Sequence, residues 1–403
     1  MNTEARMTAV PQSQVSAFPA WPHFDEEEVA AVTAVLRSGK VNYWTGEEVR
    51  RFEEEYAAHV GTTHGVAVAN GTVSLELALA ALEIGPGDEV ITTPRTFIAS
   101  ASCIILCGAT PVFADVDRDS QNITADSIAR VLTPRTKAII VVHLAGWPCE
   151  MNDILELAKS RGVAVIEDCA QAHGAKYRDR VVGGFGTFGS FSFCQDKIIT
   201  TGGEGGMLVT NDEQLWSRVW SYKDHGKSFD AVYKRQHPPG FRWLHETFGT
   251  NLRLTEMQAA IGRLQLKKLS DWVRRRRENA ARMAAGLSAV EALRVPTPPA
   301  HIYHSYYKFY AFLDTTRLRN GWTRDRIVWE ITRLGVPCFS GSCSEIYLEK
   351  AFDNHPSRPA ERLPVARELG DTSLMFLVHP TLEPCHIDRV CEIAREVIGQ
   401  AVR

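Results

Sequence analysis

From Val66 to Thr210 one pattern recurs: a short β-rich run followed by a helix-compatible segment. The runs are GVAVAN, DEVITTP, ATPVFADV, TKAIIVVHL and GVAVIED. Strands that alternate with helices predict βαβ units and a mostly parallel sheet covered on both faces. In open sheets of this kind ligands bind outside the carboxyl ends of the strands. The residues just past each run are therefore where chemistry is to be sought.

The 403 residues exceed the usual size of one domain. Residues 1–24 read as an N-terminal arm, 25–270 as a large α/β domain and 271–403 as a smaller α+β domain. Asp25 to Leu36 has the pattern of a helix capped by Asp25 and stopped by Gly39, and this helix is expected to pack on the small domain. Thr255 with Gln258 three residues on is a capping box that opens a long helix running to about Gly286. After Pro296 the pattern changes: SYYKFYAFL reads as a strand, TRDRIVWEITRLG and IDRVCEIAREVIG as amphipathic helices. A net charge of −3 offers no attraction to nucleic acid or to an acidic membrane. The first residues lack the apolar core of a signal peptide, and no run reaches membrane-spanning length. The nine cysteines are scattered without framework spacing, which predicts reduced thiols and a cytoplasmic location.

Four strand ends carry candidate residues, each with a plain structural alternative. Asn70-Gly71-Thr72 precedes VSLELALAAL; a helix start with a glycine and a hydroxyl cap can hold a phosphate, or can simply be capped. Phe97, past DEVITTP, can stack on a flat ligand or join the core. Asp168 ends the otherwise apolar GVAVIED. Burying it unpaired is costly, so it needs a cation, a protonated ring nitrogen or a hydrogen-bond donor; capping the next turn is the alternative. Gln171 and His173 follow it. Lys197 stands in FSFCQDKIITTGGEGGMLVTND, between an apolar strand and four glycines. It is either a surface lysine or an amine held against something that reacts with amines.

Other patterns point away from chemistry. Gly184 to Gly189 spells GxGxxG, but strand-like SFSF follows where a dinucleotide site needs a helix. The run Arg274 to Arg277 wraps around a helix and reads as solvated. Cys103 and Cys107 share one face of an apolar run and read as core. His301 and His304 lack the helix and acidic partner that a metal site would want, so no metal is expected.

Taken jointly, a phosphate-type helix start, an aromatic, an acid and a lysine at successive strand ends are what pyridoxal phosphate (PLP) requires. The sequence also resembles the DegT/StrS sugar aminotransferases, within the fold-type I PLP enzymes. The resemblance runs from about Pro22 to the C-terminus. WTGEEVRRFEEEYA, ANGTVSLELAL, TPRTFIASA, VHLAGWPCEM, VIEDCAQAHGA, FSFCQDKIITTGGEGGMLVTND and NLRLTEMQAAIG carry it. It implies a mostly parallel fold-type I sheet with a smaller α+β C-terminal domain. It implies Lys197 as the Schiff-base lysine, Asp168 at the pyridine nitrogen, Phe97 on the ring and Gln171 beside it. Gly71, Thr72 and Ser192 would hold the phosphate. Asn251 would reach that phosphate from the other subunit, so a homodimer with shared sites is implied. The activity implied is transfer of an amino group from L-glutamate, by way of pyridoxamine phosphate, to a nucleotide-linked keto sugar, a 4-keto-6-deoxy sugar being the commonest acceptor. Cys194-Gln195-Asp196 departs from the family, which often has a histidine and a threonine before the lysine. Alternatives are a free cyclitol or other ketone as acceptor, a PLP-binding relative without turnover, and a nicotinamide enzyme using GFGTFG. Substrate contacts are expected near Trp44, Lys223 to Lys227, Tyr306, and Ser340 to Ser344.

Overall fold

A computed structural model describes residues 18–403; the first 17 residues of the expected arm lie outside it. Seven strands form the large sheet. Their order is His64–Val68, Gly206–Thr210, Phe188–Ser192, Ala164–Asp168, Thr136–Val142, Glu89–Thr92, Thr110–Phe113. Gly206–Thr210 runs antiparallel to both neighbours, and the remaining pairs are parallel. The antiparallel strand exists because the chain reverses directly after the Lys197 loop. Gly202 and Gly203 make that reversal at φ +85° and +129°, where a side chain would be strained.

Alternation along the strands splits the core in two. Ala67, Ile139 and Val141 pack on one face, with Phe52 and Tyr56 of the helix Glu48–Val60. Val66, Val68, Ala138 and Ile140 pack on the other, with Leu75 and Leu79 of the helix Gly71–Ala81. Both faces are covered, as the apolar runs require.

A second sheet of four antiparallel strands has the order Leu293–Arg294, Phe309–Leu313, Ser373–Phe376, Cys338–Phe339. It packs with the helices Arg324–Arg333 and Pro384–Ala401 around a separate core. The helix Glu256–Leu287, 32 residues long, links the two cores. Its Leu269 and Val273 lie in the first and its Ala280, Met283 and Leu287 in the second. Thr255 and Gln258 form the expected capping box at its start. The helix Glu26–Ser38 begins at a capping box of Asp25 and Glu28 and stops at Gly39 in the left-handed region. It lies against the long helix, where Lys268 reaches Asp25 at 2.7 Å and Glu28 at 2.8 Å.

The GxGxxG segment is a loop wrapped around a buried carboxylate. Glu167 accepts from the backbone amides of Gly183, Phe185 and Gly186, each at 2.7 Å, and from His143 Nε2 at 3.1 Å. An internal anion thus takes the amides that a dinucleotide phosphate would need. Among the described residues His143, Glu167 and Cys169 form the only metal-like cluster, but these hydrogen bonds already occupy the carboxylate. All nine cysteines are free thiols; Cys103 is core and Cys107 half-buried. No described helix is long and apolar enough to cross a membrane.

The arginine run departs from its expected solvation. Arg274 and Arg275 make surface ion pairs with Glu278 and Glu383, but Arg276 is buried. Its guanidinium lies 5.0 Å from the Trp21 ring, and burial pushes its pKa down to about 9. Trp21, in the segment before the first helix, explains this: it offers an aromatic face to a helix position that would otherwise meet water.

Candidate active site

A cleft of about 1200 Å³ opens at the carboxyl ends of the parallel strands. Gly71, Thr72, Phe97, Asp168, Gln171, Ser192 and Lys197 all line it. Seven of the eight expected residues are therefore brought together from four separate stretches of chain. Asn251 is the exception. It bridges to Asp224, its Oδ1 accepts from the Arg253 amide at 3.4 Å, and it does not line the cleft of its own chain.

Asp168 ends its strand with its side chain buried. Oδ2 accepts from the Ser100 hydroxyl at 2.8 Å and Oδ1 from the Ala170 amide at 3.1 Å. Burial pushes its pKa up, against those hydrogen bonds and the charge of Lys197. Among the described residues no cation pairs with it directly, so a protonated ring nitrogen would meet an unfilled need. Phe97 is 68% exposed to the cleft, which excludes the core alternative. Gln171 spends its Oε1 on the Ala145 amide at 2.8 Å, which leaves its NH₂ as a donor.

The helix start differs from expectation in one respect. Asn70, not Thr72, is the cap, accepting from the Val73 amide at 3.0 Å. The helix begins at Gly71, so Thr72 sits inside the first turn and its hydroxyl is spared for a ligand. Ser192 closes the cradle from the end of the strand Phe188–Ser192. A Cβ on Gly71 would come within 2.6 Å of Ser192 Cβ, so only glycine leaves this space open. Free amides, two hydroxyls and a glycine-lined gap suit a phosphate.

Lys197 Nζ lies 3.5 Å from Asp196 Oδ1 and 5.1 Å from the centre of the Tyr307 ring. The Tyr307 hydroxyl donates to Asp196 Oδ2. Trp21 Nε1 donates to the Lys197 carbonyl at 2.8 Å, so the segment before the first helix fastens the lysine loop. Ser100, Tyr307 and Trp21 were not singled out from sequence, and Asp196 stood there only as a departure from the family pattern. Ser100 left one usable signal, a hydroxyl inside the apolar run FIASASCIIL. The others depend on long-range contacts.

Other expectations shift. Lys223 is fully buried and pairs with buried Glu53 at 3.4 Å, so it is a core residue. Lys227 pairs with Asp224 at 2.8 Å and lies over Trp44 at 4.3 Å, also away from the cleft lining. Tyr306 stacks on His304 with ring centres 3.8 Å apart; its neighbours Tyr307 and Lys308 line the cleft instead. Ser342 and Cys343 of the Ser340–Ser344 loop do line it. His173 is buried between the Tyr56 hydroxyl at 2.7 Å and the Ser192 carbonyl at 2.8 Å, a support beneath the cradle.

A sequence profile of the DegT/DnrJ/EryC1/StrS aminotransferase family matches residues 22–395. The aminotransferase of Psychrobacter cryohalolentis is 56% identical, with a TM-score of 0.94 over 95% of this chain and 99% of that one. DesV of S. venezuelae, solved with a ketimine intermediate, is 34% identical, with a TM-score of 0.82 over 92% and 94%. GDP-perosamine synthase of Escherichia coli O157:H7 is 35% identical over 87% of this chain and 90% of its own. With its sequence matched to the family profile over residues 22–395, the chain belongs to the DegT/DnrJ/EryC1/StrS family and is a PLP-dependent aminotransferase.

Proposed function

We propose that this enzyme moves the amino group of L-glutamate to a nucleotide-linked keto sugar, a 4-keto-6-deoxy sugar in the first instance. The observation that carries the reading is the convergence of Lys197, Asp168, Phe97 and the Gly71–Ser192 cradle on one cleft. The relative named GDP-perosamine synthase supports a nucleotide-linked substrate.

PLP, when bound, supplies an electron sink and a carrier for the amino group. Lys197 would anchor it covalently and, once released, its amine would act as the base that takes the donor's α-proton in the first half-reaction and as the acid that protonates the acceptor carbon in the second. Asp168 would keep a proton on the ring nitrogen, with Ser100 and the Ala170 amide holding the carboxylate in orientation. Phe97 would cover the ring, and Gln171 would donate beside it. Gly71, Thr72 and Ser192 would bind the phosphate. Asn251, which does not line the cleft of its own chain, would add a donor from a second copy, as the family resemblance implies. The same reading includes a homodimer, a division of the chain near residue 270, and a cytoplasmic location, which the free thiols favour.

Lys197→Ala should bind PLP only noncovalently and lose turnover by several orders of magnitude; normal turnover would sink the scheme. Mixing the pyridoxamine phosphate form with a panel of nucleotide-linked keto sugars should identify the acceptor, by return of the PLP absorbance. Shared sites predict complementation. Mixed Lys197→Ala and Asn251→Asp chains should recover roughly a quarter of wild-type activity on random exchange, whereas no recovery despite exchange would place Asn251 outside the partner's site.

A further inference from the structure

Lys308 is a second amine on the wall of the cleft. It precedes the strand Phe309–Leu313, so the smaller sheet presents it toward the reacting end of the larger one. It is half-buried, and its Nζ lies 4.6 Å from the Tyr307 ring. Among the described residues no carboxylate pairs with it and no acceptor bonds its amine. One carboxylate, Asp196, and two cations, Arg276 and Lys197, act on it. Asp196 is already engaged by Lys197 and by the Tyr307 hydroxyl. Burial, with the two cations, pushes the Lys308 pKa down to about 8. The corner of the cleft beside Lys197 therefore holds more positive than negative charge, and among the described residues one ammonium has only an aromatic face and no anionic or hydrogen-bonding partner.

An anion recruited here must lie close to the carbon on which Lys197 acts. In an amino acid, the group bonded to that carbon is a carboxylate. A nucleotide diphosphate is separated from a reacting keto carbon by the sugar ring. The phosphate cradle, for its part, is built on the helix start of the larger sheet.

We propose that Lys308 is a substrate-recognition residue that receives a carboxylate beside Lys197. The inference rests on the reading of the cleft as the site where both substrates bind. The carboxylate can come from the amino donor or from an acidic keto sugar, and the two sources are separable.

The test uses purified holoenzyme: wild type, Lys308→Gln and Lys308→Arg. Glutarate, a dicarboxylate without an amine, is titrated by calorimetry. Loss of a charge-assisted bond should weaken glutarate about 10- to 100-fold in the Gln variant, and Arg should restore most of it. Cofactor content and melting temperature should stay at wild-type values. If glutarate weakens and the KM for L-glutamate rises alongside it, the carboxylate belongs to the donor. If glutarate is unchanged but an acidic keto sugar is bound selectively less well than a neutral one, it belongs to the acceptor. Unchanged binding of both probes overturns the proposal. So does loss of cofactor from the Gln variant, which would make Lys308 a cofactor ligand. Lys308-dependent glutarate binding in an enzyme that L-glutamate fails to convert would uphold this inference and refute the donor assigned above.

Discussion

Replacing Gly71 with alanine tests the phosphate cradle with one methyl group. The added Cβ would sit 2.6 Å from Ser192 Cβ and 3.1 Å from Ser192 Oγ. Unbonded carbons rest at about 3.5–4.0 Å, so the helix start and the strand end must part by roughly 1 Å. Little else can give. The backbone at Asn70 and Gly71 already presses on Gly206, where even a Cβ would meet Asn70 O at 2.3 Å. Gly71 is helical, so alanine itself adds no backbone penalty. Overpacking of this kind costs about 1–3 kcal/mol. A cradle widened by that much can no longer aim both the helix amides and the Ser192 hydroxyl at one phosphate. Losing one charge-assisted hydrogen bond, at about 1.5–3 kcal/mol, predicts a 10- to 100-fold weaker hold on PLP. The assay is titration of apoenzyme with PLP and, in parallel, with pyridoxal, which lacks the phosphate. PLP affinity should fall as stated and pyridoxal affinity by about threefold at most. The reasoning is refuted if Gly71→Ala binds PLP within twofold of wild type, or if pyridoxal loses as much as PLP.

Three further outcomes are expected. Glu167→Gln keeps one acceptor oxygen but turns an amide NH₂ toward the Gly183 amide and His143; the loss of about 2–4 kcal/mol should lower the calorimetric midpoint by about 2–5 °C, and an unchanged midpoint would show that the loop does not depend on this anion. Ser100→Ala removes a hydrogen bond that opposes the burial-raised pKa of Asp168, so the acidic limb of the kcat/KM profile should move to higher pH; a shift the other way contradicts the assignment. His173, His304 and His379 are each pushed down to about 3 by burial. The unfolded chain takes up these protons near pH 6.5 and the native protein does not. Stability should therefore be full above pH 6.5 and fall below it by up to about 1.4 kcal/mol per pH unit for each histidine. Melting temperatures measured from pH 8 to pH 5 check this, and a flat profile would mean that these rings are not held neutral.

The sequence alone determined the sheet and most of the site. Runs such as TKAIIVV are apolar on both faces, a pattern that only a doubly covered strand satisfies, so the order of strands and helices was legible before any coordinates. Residues just past such strands meet at one edge as a consequence of parallel topology. That is why Lys197, Asp168, Phe97 and the Gly71–Thr72 turn could be collected without distances. Caps are local too: Asp25 at the start of the first helix and Thr255 with Gln258 at the start of the long one were both readable, although the return bond from Glu28 that completes the first box was not.

What only the tertiary structure decided depends on contacts between distant parts of the chain. Asn70 takes the cap from Thr72 because its carboxamide reaches the Val73 amide, a choice between adjacent polar residues that the pattern leaves open. Arg276 is buried because Trp21, 255 positions earlier, packs over it. GFGTFG has the spelling of a phosphate loop, yet its amides turn inward to Glu167. Ser100 meets Asp168 across 68 residues, and Trp21 holds the Lys197 carbonyl across 176. Lys308 gained meaning only when the smaller sheet placed it beside Lys197 without an anionic partner. Periodicity records which face a residue turns to the core. The identity of the atom it meets there is set when separate elements pack, and in this enzyme that packing tunes the charges around Lys197.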